Sequence, residues 1–307
     1  MAHSSVIFAG SSHLELAQSV AKSLRVKLGK IVVETFPDGE VGVQILENVR
    51  GKDVFVIQSP ARTPNHFLME LLIIVDALKR ASAKSITAVL PYYAYARQDR
   101  KEKGRVPITA RLVADLLERA GVSRVLTMDL HTEQVQGFFD VPVDHLYARP
   151  LFVKAIKALK LKDAVVVSPD VGSNKMVRRY AEDLKVDLAI VDKRRVNGHN
   201  VAANALIGNV VGKEAILVDD ICSTGGTLEK AAQICIREGA KSVFAVVTHG
   251  LFMEGTRLKG VDEIFVSDSV SGVQNGKGVH VVTIAPMLAE AIDCVISDKS
   301  ISSLFKS

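Results

Sequence analysis

The sequence predicts an α/β protein of two similar domains, each with a mainly parallel sheet flanked by helices. Three observations carry that prediction. Short β-branched runs alternate with helix-length segments along the chain, segments of the first half return in order in the second, and the strongest chemical signal lies where an apolar strand runs through a Gly-rich turn into a helix. Strands that alternate with helices build βαβ units around a parallel sheet.

The predicted strands are Val6–Ala9, Val54–Gln58, Ile86–Leu90, Val125–Met128, Ala164–Val167, Ala189–Val191, Ile216–Val218, Val243–Val247 and Ile264–Val266. The repeat is seen where Ala83-Lys84-Ser85-Ile86-Thr87-Ala88-Val89 returns as Ala240-Lys241-Ser242-Val243-Phe244-Ala245-Val246. Gly121-Val122-Ser123-Arg124-Val125-Leu126 likewise returns as Gly260-Val261-Asp262-Glu263-Ile264-Phe265, and the helix pattern Ala17, Ala21, Leu24 as Val177, Ala181, Leu184. One such match could be a generic helix–Gly–strand junction; three in one order argue for duplication. The junction is placed in Val141–Pro150, giving domains 1–145 and 146–307. Ala83 and Ala240 are 157 residues apart but Gly121 and Gly260 only 139, so the first half holds 18 more residues between Leu90 and Gly121. That stretch contains the charged run Arg97–Arg105, a candidate functional loop.

With 307 residues the chain has room for two cores. A content of 48% apolar and 24% charged residues is that of a soluble globular protein. The net charge of +5 suits a small anionic substrate at least as well as nucleic acid, whose binders concentrate their basic residues in a stripe. Cys222, Cys235 and Cys294 form no spaced pair, which argues against a zinc site or a disulfide framework. Met1–Val6 lacks the basic start of a secretory signal. Phe67–Leu78, the most apolar stretch, is interrupted by Glu70 and Asp76 and too short to span a bilayer; it suits a helix buried on several sides or in a subunit interface. The expectation is a cytoplasmic protein with no nucleic-acid and no membrane partner.

The chemistry concentrates in Ile216-Leu217-Val218-Asp219-Asp220-Ile221-Cys222-Ser223-Thr224-Gly225-Gly226-Thr227. Glycines let backbone N–H groups converge, and a helix N-terminus favours negative charge, so the turn forms an anion cradle. Two carboxylates just ahead of it cannot bind the same anion. They suit hydroxyl groups or a metal one sugar's length away, which holds a ribose 5-phosphate by both ends. A Gly-Gly turn alone would be an ordinary strand–turn–helix connection; the Asp-Asp pair decides against that. The spacing is not that of the Walker P-loop.

This segment resembles the phosphoribosyl-binding signature of the phosphoribosyltransferase fold. The rest of the chain resembles one family of that fold, the ribose-phosphate diphosphokinases. The matching stretches are Phe36-Pro37-Asp38-Gly39-Glu40, Pro91–Arg100, Asp129-Leu130-His131-Thr132 with Gly137-Phe138-Phe139, Ser168-Pro169-Asp170 and Asp192-Lys193-Arg194-Arg195. The resemblance implies two phosphoribosyltransferase-like domains with the active site between them, the substrates ATP and ribose 5-phosphate, Mg²⁺ as cofactor and a homo-hexamer. It implies that Lys193 and Arg195 are catalytic, stabilising the transferring β-phosphoryl group. Phe36, Asp38, Glu40, Arg97 and Gln98 would meet ATP, with Phe36, Asp38 and Glu40 around the adenine. His131 and Asp170 would face the metal or its waters. Asp219, Asp220, Ser223, Thr224, Gly225, Gly226 and Thr227 would hold ribose 5-phosphate. Two departures stand out: Ser223 where family members commonly carry Asp, and Val171-Gly172-Ser173-Asn174 where many have Ala-Gly-Gly.

Two other functions fit part of this pattern. A phosphoribosyltransferase consuming the same diphosphate needs only one such domain and leaves the ATP-side residues without purpose. A non-catalytic regulatory subunit or RNA-binding regulator does not need His131, Lys193, Arg195 and Asp219 together.

Overall fold

The computed structural model describes residues 5–170, 172–196 and 201–305, the side chains of 193–196, 201–204, 303 and 305 excepted. It divides into two compact units. The first holds the chain up to Tyr147, together with Ser269–Ser271 and the segment that starts at Thr283; the second holds Ala148–Asp268 and Gly272–Val282.

The first unit contains β1 (Ser5–Ala9), α1 (Leu14–Ser23), β2 (Ile31–Thr35), β3 (Val41–Ile45), β4 (Asp53–Ile57), α2 (Pro64–Arg80), β5 (Ser85–Leu90), α3 (Thr109–Ala120), β6 (Arg124–Met128) and β7 (Val143–Leu146). Its main sheet has the order β1-β4-β5-β6-β7, parallel throughout. Val54, Phe55, Val56 and Ile57 are buried in succession, as expected of a parallel strand covered on both faces. Helix α3 buries Ala110, Val113, Ala114 and Leu117, the i, i+3, i+4, i+7 stripe of an amphipathic helix. It stops at Gly121, whose φ of +129° lets the Val122 N–H return to the Leu117 carbonyl at 3.1 Å.

The second unit contains α4 (Arg149–Ala158), β8 (Ala164–Ser168), α5 (Asn174–Leu184), β9 (Asp187–Val196), β10 (Val201–Ile207), β11 (Glu214–Cys222), α6 (Gly226–Arg237), β12 (Ser242–Gly250), β13 (Glu263–Ser267) and β14 (Val279–Val282). The sheet order is β10-β9-β8-β11-β12-β13-β14, with only β10 antiparallel to its neighbour. A last helix, α7 (Ala285–Ile296), returns to the first unit and packs against α1.

All nine predicted strands form, with ends shifted by a few residues. The duplication is plain in the sheets: β1-β4-β5-β6-β7 has the order and direction of β8-β11-β12-β13-β14. The surplus of the first half needs correction, because it is not a charged loop alone. Between β5 and β6 the first unit inserts the 12-residue helix α3, whereas residues 251–262, between β12 and β13, contain no helix. The charged loop is the approach to that helix.

Helix α2, which contains Phe67–Leu78, buries Leu68, Leu71, Ile74, Val75 and Leu78. It leaves Phe67, Leu72 and Ile73 half-buried and Met69 54% exposed, so the apolar sequence covers more than the face that packs inside its own unit.

Candidate active site

Strand β11 is buried from Ala215 to Val218 and carries the two carboxylates towards its C-terminal end, where ligands of α/β sheets bind. Asp219 is only 9% exposed; its Oδ1 accepts the Asp220 N–H at 3.0 Å and lies 3.3 Å from the Ser173 hydroxyl. At the end of neighbouring β8, Asp170 Oδ1 accepts the N–H groups of Gly172 at 2.9 Å and Ser173 at 3.1 Å, in the turn that leads into α5. The Ser173 hydroxyl is also 3.3 Å from Asp170 Oδ1, so its single hydrogen can serve only one of the two acids at a time. Burial first, then the charges of Asp220 and Asp170, push the Asp219 carboxyl well above the usual range.

Past the acids the chain turns through Ser223–Gly225. The Ser223 carbonyl accepts the Met253 N–H and the Thr256 hydroxyl, both at 3.0 Å, which fixes the turn. Gly225 has φ +82°, and a Cβ there would stand 2.7 Å from the Arg257 carbonyl oxygen. Gly226, the first residue of α6, is the opposite case: the nearest atom to a Cβ there is Thr224 Oγ1 at 3.9 Å. Among the described residues no side chain caps this helix. Its N–H groups therefore face an open side with Thr224 exposed and Thr227 half-buried, while Leu228, Ala231, Ala232 and Cys235 anchor the other side in the core. The arrangement is an anion cradle with an acid pair ahead of it.

These two glycines give a paired prediction. Gly225→Ala meets both a left-handed backbone and a collision with main chain, and is expected to lower stability by about 2 kcal/mol or more. Gly226→Ala is expected to keep the wild-type melting temperature. Its methyl group stands on the open side of the cradle and should raise KM for a phosphate-bearing substrate about tenfold. Thermal denaturation beside KM measurement separates the two; equal melting losses would refute the distinction.

Cys222 is 2% exposed and burial pushes its thiol up to about 12, which suits the small apolar residue the sequence suggests rather than a nucleophile. Lys193 and Arg195 belong to β9, where the two-residue period of a strand puts both positions on one face; their side chains lie outside the described residues. Val171, in the second departure, also lies outside them.

The remaining predicted residues belong to the first unit. Phe36–Glu40 is the tip of the β2–β3 hairpin, closed by the Phe36 N–H to the Glu40 carbonyl at 2.8 Å, with Gly39 at φ +94°. Asp38 Oδ1 accepts the Glu40 N–H at 3.1 Å, and Phe36 is 44% exposed. Arg97 is exposed, whereas Gln98 is tied to the start of α3: its carbonyl accepts the Ala110 N–H at 3.1 Å and its side chain accepts the Thr109 hydroxyl. His131 is exposed in the loop after β6. Among the described residues no three His, Cys, Asp or Glu side chains are grouped to hold a metal by themselves.

The two units differ sharply at equivalent places. The repeat aligns Val89 with Val246; their β-partners are Ile57 and Val218, so Gln58 and Ser59 correspond to Asp219 and Asp220. On the other neighbouring strand, by the same register, Ser11 corresponds to Asp170. In the first unit these positions are neutral and closed. Gln58 accepts the Ser12 N–H at 3.1 Å and donates to the buried Glu70 at 2.8 Å, and Glu70 also accepts the Ser11 N–H at 2.6 Å. The acid pair over an open helix N-terminus belongs to the second unit alone. Sequence reasoning did not assign a role to Ser173, Asp99 or His145; all three lay inside quoted stretches, but only packing brings their partners to them.

Comparison with known proteins agrees with this partition. Residues 5–121 match the N-terminal domain of ribose phosphate pyrophosphokinase, and residues 146–285 the phosphoribosyl transferase domain. A ribose-phosphate pyrophosphokinase of Vibrio cholerae is 49% identical over 310 residues, covering 97% of this chain and 98% of the relative. That of Bacillus caldolyticus is 47% identical over 309 residues, covering 99% and 98%. The crystal structure of phosphoribosylpyrophosphate synthetase from Mycobacterium smegmatis superposes with a TM-score of 0.91 at 43% identity, covering 96% of this chain and 99% of that one. With both halves matched and the cradle intact on β11 and α6, the chain belongs to the ribose-phosphate pyrophosphokinase family.

Proposed function

We propose that the chain transfers the diphosphoryl group of MgATP to the anomeric hydroxyl of ribose 5-phosphate, giving 5-phosphoribosyl 1-diphosphate and AMP for nucleotide biosynthesis. The observation that carries this reading is the acid pair set ahead of the open N-terminus of α6, present in one unit and replaced by Gln58 and Ser59 in the other. The cradle from Ser223 to Thr227 binds the 5-phosphate through backbone N–H groups and the helix dipole. Asp219 and Asp220 accept hydrogen bonds from the 2- and 3-hydroxyls and so orient the sugar.

On the nucleotide side, Phe36 offers an aromatic face and Asp38 and Glu40 offer acceptors for the adenine, while Arg97 and Gln98 meet the phosphates. Lys193 and Arg195 stabilise charge on the transferring β-phosphoryl group, the main task of a phosphoryl-transfer site. Mg²⁺ supplies charge neutralisation when bound. Asp170 and His131 are its proposed protein-side contacts, the latter directly or through water. The donor set fits: Asp170 is a hard oxygen ligand whose charge acts on the buried Asp219 carboxyl, and Mg²⁺ takes few protein ligands beside phosphate oxygens and waters.

Release of AMP from ATP, with and without ribose 5-phosphate, tests the reading. AMP appearing only with the sugar phosphate supports it; a phosphoribosyltransferase or a binding subunit would release none. A homo-hexameric assembly is part of the same proposal, with the exposed Met69 on α2 available to an interface, and light scattering gives the mass. Cys222, Cys235 and Cys294 are all free and buried, which suits a reducing cytoplasm. Among the described residues no helix is long and apolar enough to cross a membrane.

The segment 97–105 is exposed over most of its length, and its Arg100–Glu102 ion pair at 3.6 Å joins two side chains that are both largely in solvent. It is expected to close over bound nucleotide and exclude water. Trypsin should cut at Arg100, Lys101, Lys103 or Arg105 in the ligand-free protein and more slowly with a nucleotide analogue and Mg²⁺. Equal cutting in both conditions would refute a lid.

A further inference from the structure

The loop that follows β6 carries His131, and bonds from elsewhere in the first unit fix it. Immediately after the strand, Asp129 takes φ +37°, a left-handed value that costs a non-glycine residue energy and persists only where its surroundings enforce it. Two successive N–H groups do the enforcing. That of Asp129 goes to the Leu146 carbonyl at 3.0 Å, and that of Leu130 goes to Nε2 of His145 at 2.9 Å. Just past His131, the Thr132 hydroxyl donates to Asp99 Oδ2 at 2.7 Å.

His145 is buried on β7. Its Nδ1 lies 3.3 Å from the Gln136 side-chain nitrogen, and its ring packs at 4.6 Å on Tyr147, whose hydroxyl reaches Glu133 at 3.2 Å. Accepting the Leu130 N–H requires Nε2 to carry no proton, so the Gln136 nitrogen beside Nδ1 is a packing neighbour and not a hydrogen-bond partner of the ring. The ring is thus wedged among residues of the His131 loop, and its acceptor nitrogen satisfies a backbone donor beside His131 that is itself buried with Leu130. An apolar side chain in its place would strand that N–H and remove a bond that holds the turn.

We propose that His145 is a positioning residue for the transfer reaction: by accepting the Leu130 N–H it holds the turn at Asp129 and so fixes where His131 stands. This rests on the reading of His131 as a metal contact. His145 does not touch substrate in this scheme; it acts through the backbone next to the residue that does.

The test uses the full chain with His145→Gln, whose side-chain oxygen can take the place of Nε2, and His145→Leu, which offers no acceptor. Hydrogen–deuterium exchange of the peptide spanning residues 129–135, without substrates, is expected to be slow in the wild type and in His145→Gln. In His145→Leu it should be about tenfold faster. In kinetics, His145→Leu should lower kcat about tenfold with KM for ribose 5-phosphate unchanged, and His145→Gln should recover most of the loss. Exchange and kcat in His145→Leu equal to wild type would overturn the proposal, as would a kcat loss that His145→Gln does not recover. His145→Met takes the same measurements if the Leu variant does not fold. His131→Ala separates the two ideas. If it leaves kcat and the Mg²⁺ dependence unchanged, the metal reading fails; if it lowers kcat while His145→Leu is silent, only the positioning role fails.

Discussion

Lys193→Ala is expected to lower kcat about a hundredfold to a thousandfold, if the proposed reaction loses with it one cation from the transferring phosphoryl group. The reasoning starts from where charge develops. Ground-state ATP already spreads its negative charge over oxygens that Mg²⁺ and Arg97 can meet, whereas the equatorial oxygens of the β-phosphoryl group gain demand only as the bond to the leaving AMP lengthens. A cation aimed there lowers the barrier more than it tightens binding. The kinetic signature is a fall in kcat and in kcat/KM together, with little change in KM for ATP. A variant whose kcat is unchanged while KM for ATP rises would make Lys193 a uniform binding residue. Positions 193 and 195 share one face of β9, so the double variant with Arg195→Ala should lose less than the product of the two single losses if both act on the same oxygens.

Asp219→Asn is expected to damage activity and improve stability at once. Burial, and then the neighbouring Asp220 and Asp170, raise the carboxyl of Asp219 well above the ordinary carboxylate range. A carboxyl with a raised folded pKa binds its proton more tightly in the folded protein than in the unfolded chain. Its contribution to stability therefore falls as pH climbs from the ordinary Asp range towards the raised value, and above the ordinary range the group is a net cost to the fold. In the ligand-free protein the Asn variant should melt higher than wild type at neutral pH, with the gap closing below about pH 4. Activity goes the other way. Losing a charged acceptor for a ribose hydroxyl should reduce kcat/KM for the sugar phosphate about tenfold to a hundredfold. A variant that melts lower than wild type across the whole pH range would show that the carboxylate stabilises the fold.

The sequence already shows much of this. The buried parallel strands are legible because they are short, β-branched and bounded by turns, and β11 with α6 is legible because its acids and glycines have few other uses together. The hairpin β2–β3 is visible beforehand only as the turn Phe36–Glu40. Its strands have just one apolar face, Ile31, Val33, Val43 and Ile45 packing inward while Val32, Glu34 and Gln44 face out. Strands β7 and β14 have four residues each, too few for a period to declare itself. Strand β10 takes its state from pairing with β9. At the site, the residue types could be named but not their mutual support. Nothing local says that Ser173 stands 3.3 Å from both Asp170 and Asp219, or that Gln58, the counterpart of Asp219, is spent on Glu70. Such facts come from contacts between segments far apart in sequence, which no window of neighbouring residues contains.

The return of α7 to the first unit sets an order on how the chain can mature as it leaves the ribosome. Helix α1 packs against α7, which is encoded after every strand of the second unit. The second unit can close its sheet once Val282 has been made, while the first, begun earlier, still lacks the helix that covers α1. Synthesis normally favours the N-terminal domain, which emerges first and folds alone. Here the half that emerges first is the half that finishes last. Until α7 arrives, a nascent chain carries an apolar flank on α1 that a chaperone can recognise.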